Sequence, residues 1–182
     1  TSYDRFHEKG NRIYRVITKY SYLNQEDHSF FASTSPMAAK EIKENLPGLE
    51  DAAILHGGLD SDVKAGDKVV PLSGFWADAS MFNVFSFEVV KGHAATALKE
   101  PFQVVLTESA AKKLFGEQEA LGKEVIMQSE QAFTVSAIMK DVPKFSHMRF
   151  DMLASYSTRA ITEKERMDNE MKWDNIWQGY AY

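Results

Sequence analysis

Hydrophobic and polar positions along this chain follow two different periods, and the points where the period changes mark out its elements. In RIYRVITKYSYL, residues 12–23, Tyr14, Val16, Thr18, Tyr20 and Tyr22 fall on one side of a period-two pattern. Ile13, Arg15, Ile17, Lys19 and Ser21 fall on the other, which predicts a strand. STSPMAAKEIKENLPG changes to spacings of three and four: Ala39, Ile42 and Leu46 share a face, Ser35 can cap the first turn and Pro36 suits the first helical position. Pro47 and Gly48 end that helix, and EDAAILHGGL returns as a strand. The first 60 residues therefore predict a strand, helix, strand unit whose helix covers one face of a sheet.

From Asp60 the texture becomes short strands divided by turn signals. DSDVKAGD predicts a loop, KVVPLSG a strand, and AFTVSAIM places Phe133, Val135, Ala137 and Met139 on one strand face. LTESAAKKLFG predicts a helix capped by Thr107 and closed by Gly116, with Ala110, Ala111, Leu114 and Phe115 inward and Ser109, Lys112 and Lys113 outward. MRFDMLASY alternates again, through Met148, Phe150, Met152, Ala154 and Tyr156. TRAITEKERMDNEMK reads as a mostly polar stretch, helical or mobile, and WQGYAY as the opening of another strand.

GFWADASMFNVFSFEVVKG carries five aromatic rings between Phe75 and Phe87. Each ring buries roughly 150–250 Å², so five exposed rings would exceed the apolar patch of a few hundred Å² that soluble monomers show. The rings are expected in a core, with Asp78 or Ser80 capping a short helical turn that points Met81, Phe82 and Phe85 inward.

Composition narrows the function classes. At 44% hydrophobic and 26% charged, the sequence predicts a folded chain. A net charge of -5 with scattered Lys and Arg gives no basic stripe, so nucleic acid is not an expected partner. Without cysteine there is no disulfide, thiolate nucleophile or Cys-based zinc site. The longest run free of Asp, Glu, Lys and Arg is His28 to Ala39, short of the roughly 20 apolar residues of a membrane span. The opening TSYDRFHEKGN enters on a charged, helix-like segment, which reads as the cut edge of something longer.

Three strings resemble sites. Ser109 to Lys112 spells S-x-x-K, but the helical face places both side chains toward solvent, where the lysine has no desolvation to lower its pKa. Asp60 and Asp62 open like a calcium loop, yet Lys64 stands where an oxygen ligand belongs and Pro71 where the bidentate Glu should be, so a hairpin loop is expected. His7, His28, His56, His93 and His147 lie far apart, and none forms a recognised metal motif. His147, among turn residues, is expected to make a structural hydrogen bond. No catalytic residue, cofactor or metal site is expected.

Several blocks in order carry a resemblance: YDRFHEKGNRIYRV, WADASMFNVFSFEVVKG, ALKEPFQVVLTESAAKKLFG followed by LGKEV, and FTVSAIMKDVPKFSHMRFDMLASYST. With these the chain resembles the extracytoplasmic core domain of MacB-like and FtsX-like ABC transporter permeases, particularly those of Bacteroidetes-type bacteria. The resemblance implies an α+β fold in which a porter-like β-α-β subdomain carries an inserted β-rich, sabre-like subdomain. It implies a first porter-like unit at 1–60, the insertion at 61–147, and a return to an incomplete second unit at 148–182. It further implies a non-enzymatic domain on the periplasmic side of the inner membrane, with one membrane helix directly before Thr1 and three after the domain. The implied partners are a cytoplasmic ATPase subunit or domain reached through those helices, a periplasmic protein or lipoprotein, and a second permease copy. The domain would transmit ATP-driven movement to a partner or substrate, with partner contact expected at Asp60, Asp62 and Lys64 in the loop 60–67. Two alternatives are a ligand-sensing extracytoplasmic module, which predicts an apolar pocket with convergent polar groups, and an S-x-x-K hydrolase built on Ser109 and Lys112.

Overall fold

The computed structural model describes residues 7–21, 28–128, 130–144, 146–172, 175–176 and 179–182, with backbone alone for residues 169 and 170. The predicted helix-like opening lies mostly outside these residues. What is described of it is a 3-10 turn at Gly10–Arg12.

The first strand is shorter than its pattern predicts. β1 (Thr18–Ser21) pairs antiparallel with β2 (His28–Phe31), a strand that the sequence reading did not anticipate. Tyr22 and Leu23 lie outside the described residues. Residues 13–17 leave the ladder because Val16 N–H is used elsewhere, donating to Ala181 O at 2.9 Å. β1 and β2 thus form their own ribbon.

α1 (Pro36–Asn45) begins as its sequence predicts: Ser35 Oγ accepts from Met37 N–H at 3.2 Å, and Pro36 opens the helix. Its buried side is made by Ala38 and Ala39, while Ile42 is half-buried and Leu46 is 54% exposed. Leu46 misses the expected face because it is the C-cap, with extended backbone.

β3 (Ile54–His56) follows as expected. The segment read as a loop at 60–67 instead forms β4 (Ser61–Ala65), which pairs with β5 (Lys68–Leu72) across a tight turn at Gly66 and Asp67. The alternation that reveals β4 is carried by Val63 alone, buried between exposed Asp62 and Lys64, so few apolar residues mark it in the sequence. β6 (Gly74–Ala77), α2 (Met81–Val84) and β7 (Val89–Gly92) carry the aromatic stretch. β8 (Gln103–Thr107) leads into α3 (Glu108–Phe115), where Thr107 Oγ1 accepts from Ala110 N–H and Gly116 closes the helix at φ 64°. Then come β9 (Glu124–Met127), β10 (Gln131–Met139) and β11 (Met152–Ser155), followed by α4 (Arg159–Thr162), α5 (Lys164–Glu170) and β12 (Gly179–Ala181).

Among the described residues the main sheet runs β12-β3-β6-β11-β8-β10-β9-β4-β5, with β7 on the second half of β10. It mixes parallel and antiparallel pairs, as expected of an α+β fold: β11 is parallel to β6 and antiparallel to β8. Because β11 is central, all four of its residues are buried, and the alternation seen at 148–156 continues into the core at Met148 and Phe150 without ladder pairing.

Two cores cover the two faces, and β6 feeds both. Trp76 meets Phe133 on the side closed by Ala110, Ala111 and Leu114 of α3. Phe75 points the other way, edge-on to Phe150, where Phe85, Phe87 and Met81 gather. The expected aromatic core is present: Trp76 is buried in the first cluster, Phe85 and Phe87 in the second, and Phe75 and Phe82 pack partly buried against that second cluster. Ring pairs such as Phe87 and Phe150, 5.4 Å apart at 77°, have the edge-to-face geometry that adds about 0.5–1.5 kcal/mol beyond area burial.

Candidate functional site

The residues after β6 connect three elements through charge. Asp51, just ahead of β3, receives Lys43 Nζ from α1 at 2.6 Å, Ser80 Oγ at 2.9 Å and Asn83 Nδ2 from α2 at 2.8 Å. Its own neighbour Ala52 N–H adds a fourth bond at 2.8 Å. Burial works to raise the Asp51 pKa, but the bonds from Lys43, Asn83, Ala52 and Ser80 together hold it below the ordinary carboxylate range. This junction redirects the capping expected of α2. Ser80 Oγ is engaged by Lys43 and Asp51, so its side chain does not cap; the Asp78 backbone carbonyl accepts from Met81 N–H instead.

The Asp78 side chain turns to β3, accepting from Ile54 N–H at 3.1 Å. Burial pushes its pKa up to about 6, against the lowering effects of that bond and of the Lys43 charge. Asp78 lines a cavity of about 500 Å³ between α1 and α5. The walls are small or flexible apolar side chains: Ala39, Ala52, Met167 and Met171, with Tyr156 beside them. Lys40, Lys164 and Asp168 stand exposed at its mouth. Nothing in the local sequence around Asp78 distinguishes it from a helix cap; the signal is an acid between two buried pairs, Trp76 with Ala77 and Ser80 with Met81.

Arg159 falls in the polar stretch TRAITEKERMDNEMK, yet it is buried. Its side chain is 1% exposed, bonded to Glu163 Oε2 at 3.0 Å, with its guanidinium 5.7 Å from the Tyr156 ring centre. It is thus buried beside Tyr156, which lines the cavity.

The anticipated sites lie elsewhere. Ser109 donates its hydroxyl to Asp141 and its N–H to the same carboxylate, whereas Lys112 pairs with Glu117 at 3.2 Å, both exposed. The two members of S-x-x-K thus face different partners on a surface helix, as the helical face predicts. Asp60, Asp62 and Lys64 line a shallow concavity of about 470 Å³ with Val69 and Gln128, at the far side of the sheet from β12. Asp62 lies opposite Pro71 in a β ladder, which replaces the imagined calcium loop.

The histidines are dispersed among structural contacts. His7 packs 5.1 Å from both Phe85 and Phe87 and receives Ser86 N–H at 3.1 Å. His56 Nδ1 lies 2.8 Å from Gly57 O, and His147 Nε2 lies 3.4 Å from Tyr182 Oη, the structural bond expected of it. Among the described residues no three His, Asp or Glu side chains gather where a metal ion could be held. No helix among them is long and apolar enough to cross a membrane.

Comparison with known proteins gives the architecture its context. A domain assigned to a permease protein of Porphyromonas gingivalis superposes with a TM-score of 0.73 at 22% identity, covering 92% of this chain and 70% of that one. The extracellular domain of the ABC-type transporter YknZ from Gram-positive bacteria gives 0.61 at 14% identity, over 82% of this chain and 72% of that one. The periplasmic region of MacB from Actinobacillus actinomycetemcomitans gives 0.58 at 13% identity, over 91% and 86%. A search of curated protein sequences finds no match. The model of the MacB-like periplasmic core domain matches residues 1–177, and with the fold just described it establishes that the chain belongs to that family.

Proposed function

We propose that this domain is the outer lever of an ABC transporter permease, passing ATP-driven movement of the membrane helices to a partner on the far side of the inner membrane. The observation that carries this reading is the lacing of the two ends of the fold. Val16 N–H donates to Ala181 O at 2.9 Å and Thr34 N–H to Gly179 O at 2.8 Å, so both legs of the β1–β2 ribbon are fastened to β12. Ala53 and Tyr182 exchange two backbone bonds at 2.9 and 3.1 Å beside β3. A displacement applied to either end therefore enters the same edge of one continuous sheet.

A hydrogen-bonded sheet packed on both faces moves as a unit, since its interior is dense and resists local deformation. Movement at the β12 edge would emerge at the β4–β5 edge, where Asp60, Asp62 and Lys64 are exposed. This supports the partner contact assigned to those three residues. Residues 1–60 and 148–182 are proposed as the porter-like, driven part and 61–147 as the sabre-like, contacting part, with β6 of the latter seated between β3 and β11 of the former. The domain itself is proposed to do no chemistry; an ATPase on the cytoplasmic side supplies the energy, and a second permease copy completes the machine.

A photo-crosslinking residue at position 60, 62 or 64 of the intact permease in cells tests the contact. Capture of the same envelope protein from all three positions, and not from position 112 on α3, is the expected result. Equal capture from position 112, or none from the three, would remove the partner surface from this edge.

A further inference from the structure

The cavity between α1 and α5 holds a carboxylate, Asp78, that the described residues supply with no ion-pair partner. The Asp78 carboxylate accepts only from backbone, Ile54 N–H and its own N–H, and the nearby ammonium group of Lys43 is committed at 2.6 Å to both Asp51 and Ser80. Among the described residues no cation forms an ion pair with Asp78. A carboxylate withdrawn from water without a counter-ion is costly, and here it faces open space lined by apolar groups rather than packed side chains. The space is of the size that encloses small molecules, about 300–1,000 Å³. Ala39 and Ala52 keep it open, and Met167 and Met171 give it walls that adapt to an alkyl shape.

We propose that this cavity binds a small amphiphile with an apolar body and a primary ammonium group, the body against Ala39, Ala52, Met167 and Met171 and the ammonium on Asp78. The other charged or titratable groups facing Asp78 are Lys40 and Lys43 of α1, Asp51 ahead of β3, Tyr156, and Lys164 and Asp168 of α5. Lys43 and Asp51 neutralise one another. Lys40 and Lys164 stand in solvent at the mouth, where their field is screened. An anionic head group would be drawn to the mouth and then meet Asp78 on the wall, whereas an ammonium group meets its complement there. The inference goes beyond the permease reading and holds whether or not that reading does.

Octylammonium, octanoate and 1-octanol share one apolar chain and differ in head group, so titrating each into the 182-residue chain by calorimetry, with methyl NMR of Ala39, Ala52 and Ala160, isolates the charge. Octylammonium is expected to saturate one site at pH 7.5, at least tenfold more tightly than the other two, and to shift those three methyls. Asp78→Asn should weaken octylammonium at least tenfold and leave octanol unchanged. Ala160→Phe, at the exposed rim, should block entry of all three. If Asp78→Asn does not fold, wild-type affinity for octylammonium should still fall as the pH drops below about 6, where Asp78 takes up its proton, with octanol flat. No saturable binding, octanoate binding as tightly as octylammonium, methyl shifts confined to other residues, or octylammonium affinity indifferent to both Asp78→Asn and pH would each overturn the proposal.

Discussion

Trp76 and Asp78 stand two positions apart at the end of one strand, and the fold uses them in opposite ways. Trp76 is 3% exposed against Phe133 in the core under α3, so Trp76→Ala should cost about 3–5 kcal/mol in urea unfolding. Asp78 opposes folding once ionised. Its folded pKa, about 6, lies above the ordinary 3.8, so between those values the folded state holds a proton that the unfolded state has released. Stability supplied by that proton is complete below pH 3.8 and is lost as the pH rises to about 6. Asp78→Asn, whose side-chain oxygen can still accept from Ile54 N–H, should remove this decline, on the order of 3 kcal/mol, from a curve of unfolding free energy against pH. A variant curve that falls as steeply as wild type would contradict the assignment. The Trp was legible in the sequence because large rings are costly to expose. Asp78, Asp51 and Lys43 were not, since their junction joins segments 51, 78 and 43 that only the folded sheet brings together.

At the scale of elements, the most legible were those with both a cap and a period. α3 has Thr107, an apolar face and Gly116, and all three act as the sequence predicts. Thr107→Ala should therefore lower stability by about 1 kcal/mol, readable as a shift in denaturation midpoint without a change in slope. Strands were less legible because pairing lies outside the strand itself. β1 alternates over more residues than it pairs, since β12 captures Val16, and β4 hides in a segment with turn-like composition. Close approach is invisible in the same way: a Cβ on Gly74 would sit 2.5 Å from the backbone oxygen of Met152 in the adjoining β11. Gly74→Ala should force β6 and β11 apart, and amide exchange of residues 152–155 should rise above that of the wild type, while unchanged exchange would show that the sheet absorbs the methyl elsewhere.

For the whole molecule, the α+β class and the family were legible from ordered sequence blocks, whereas the lacing of residues 16, 34 and 53 onto 179–182 was not, because no local pattern encodes which distant carbonyl a strand edge will meet. That lacing makes the domain a candidate lever. The most direct measurement places a fluorescent donor at Lys64→Cys, in a chain with no cysteine of its own, and an acceptor at the bilayer surface. With the intact permease and its ATPase in lipid nanodiscs, the account predicts that energy transfer from position 64 differs between the nucleotide-free and ATP-bound states. Unchanged transfer while the same sample hydrolyses ATP would contradict it.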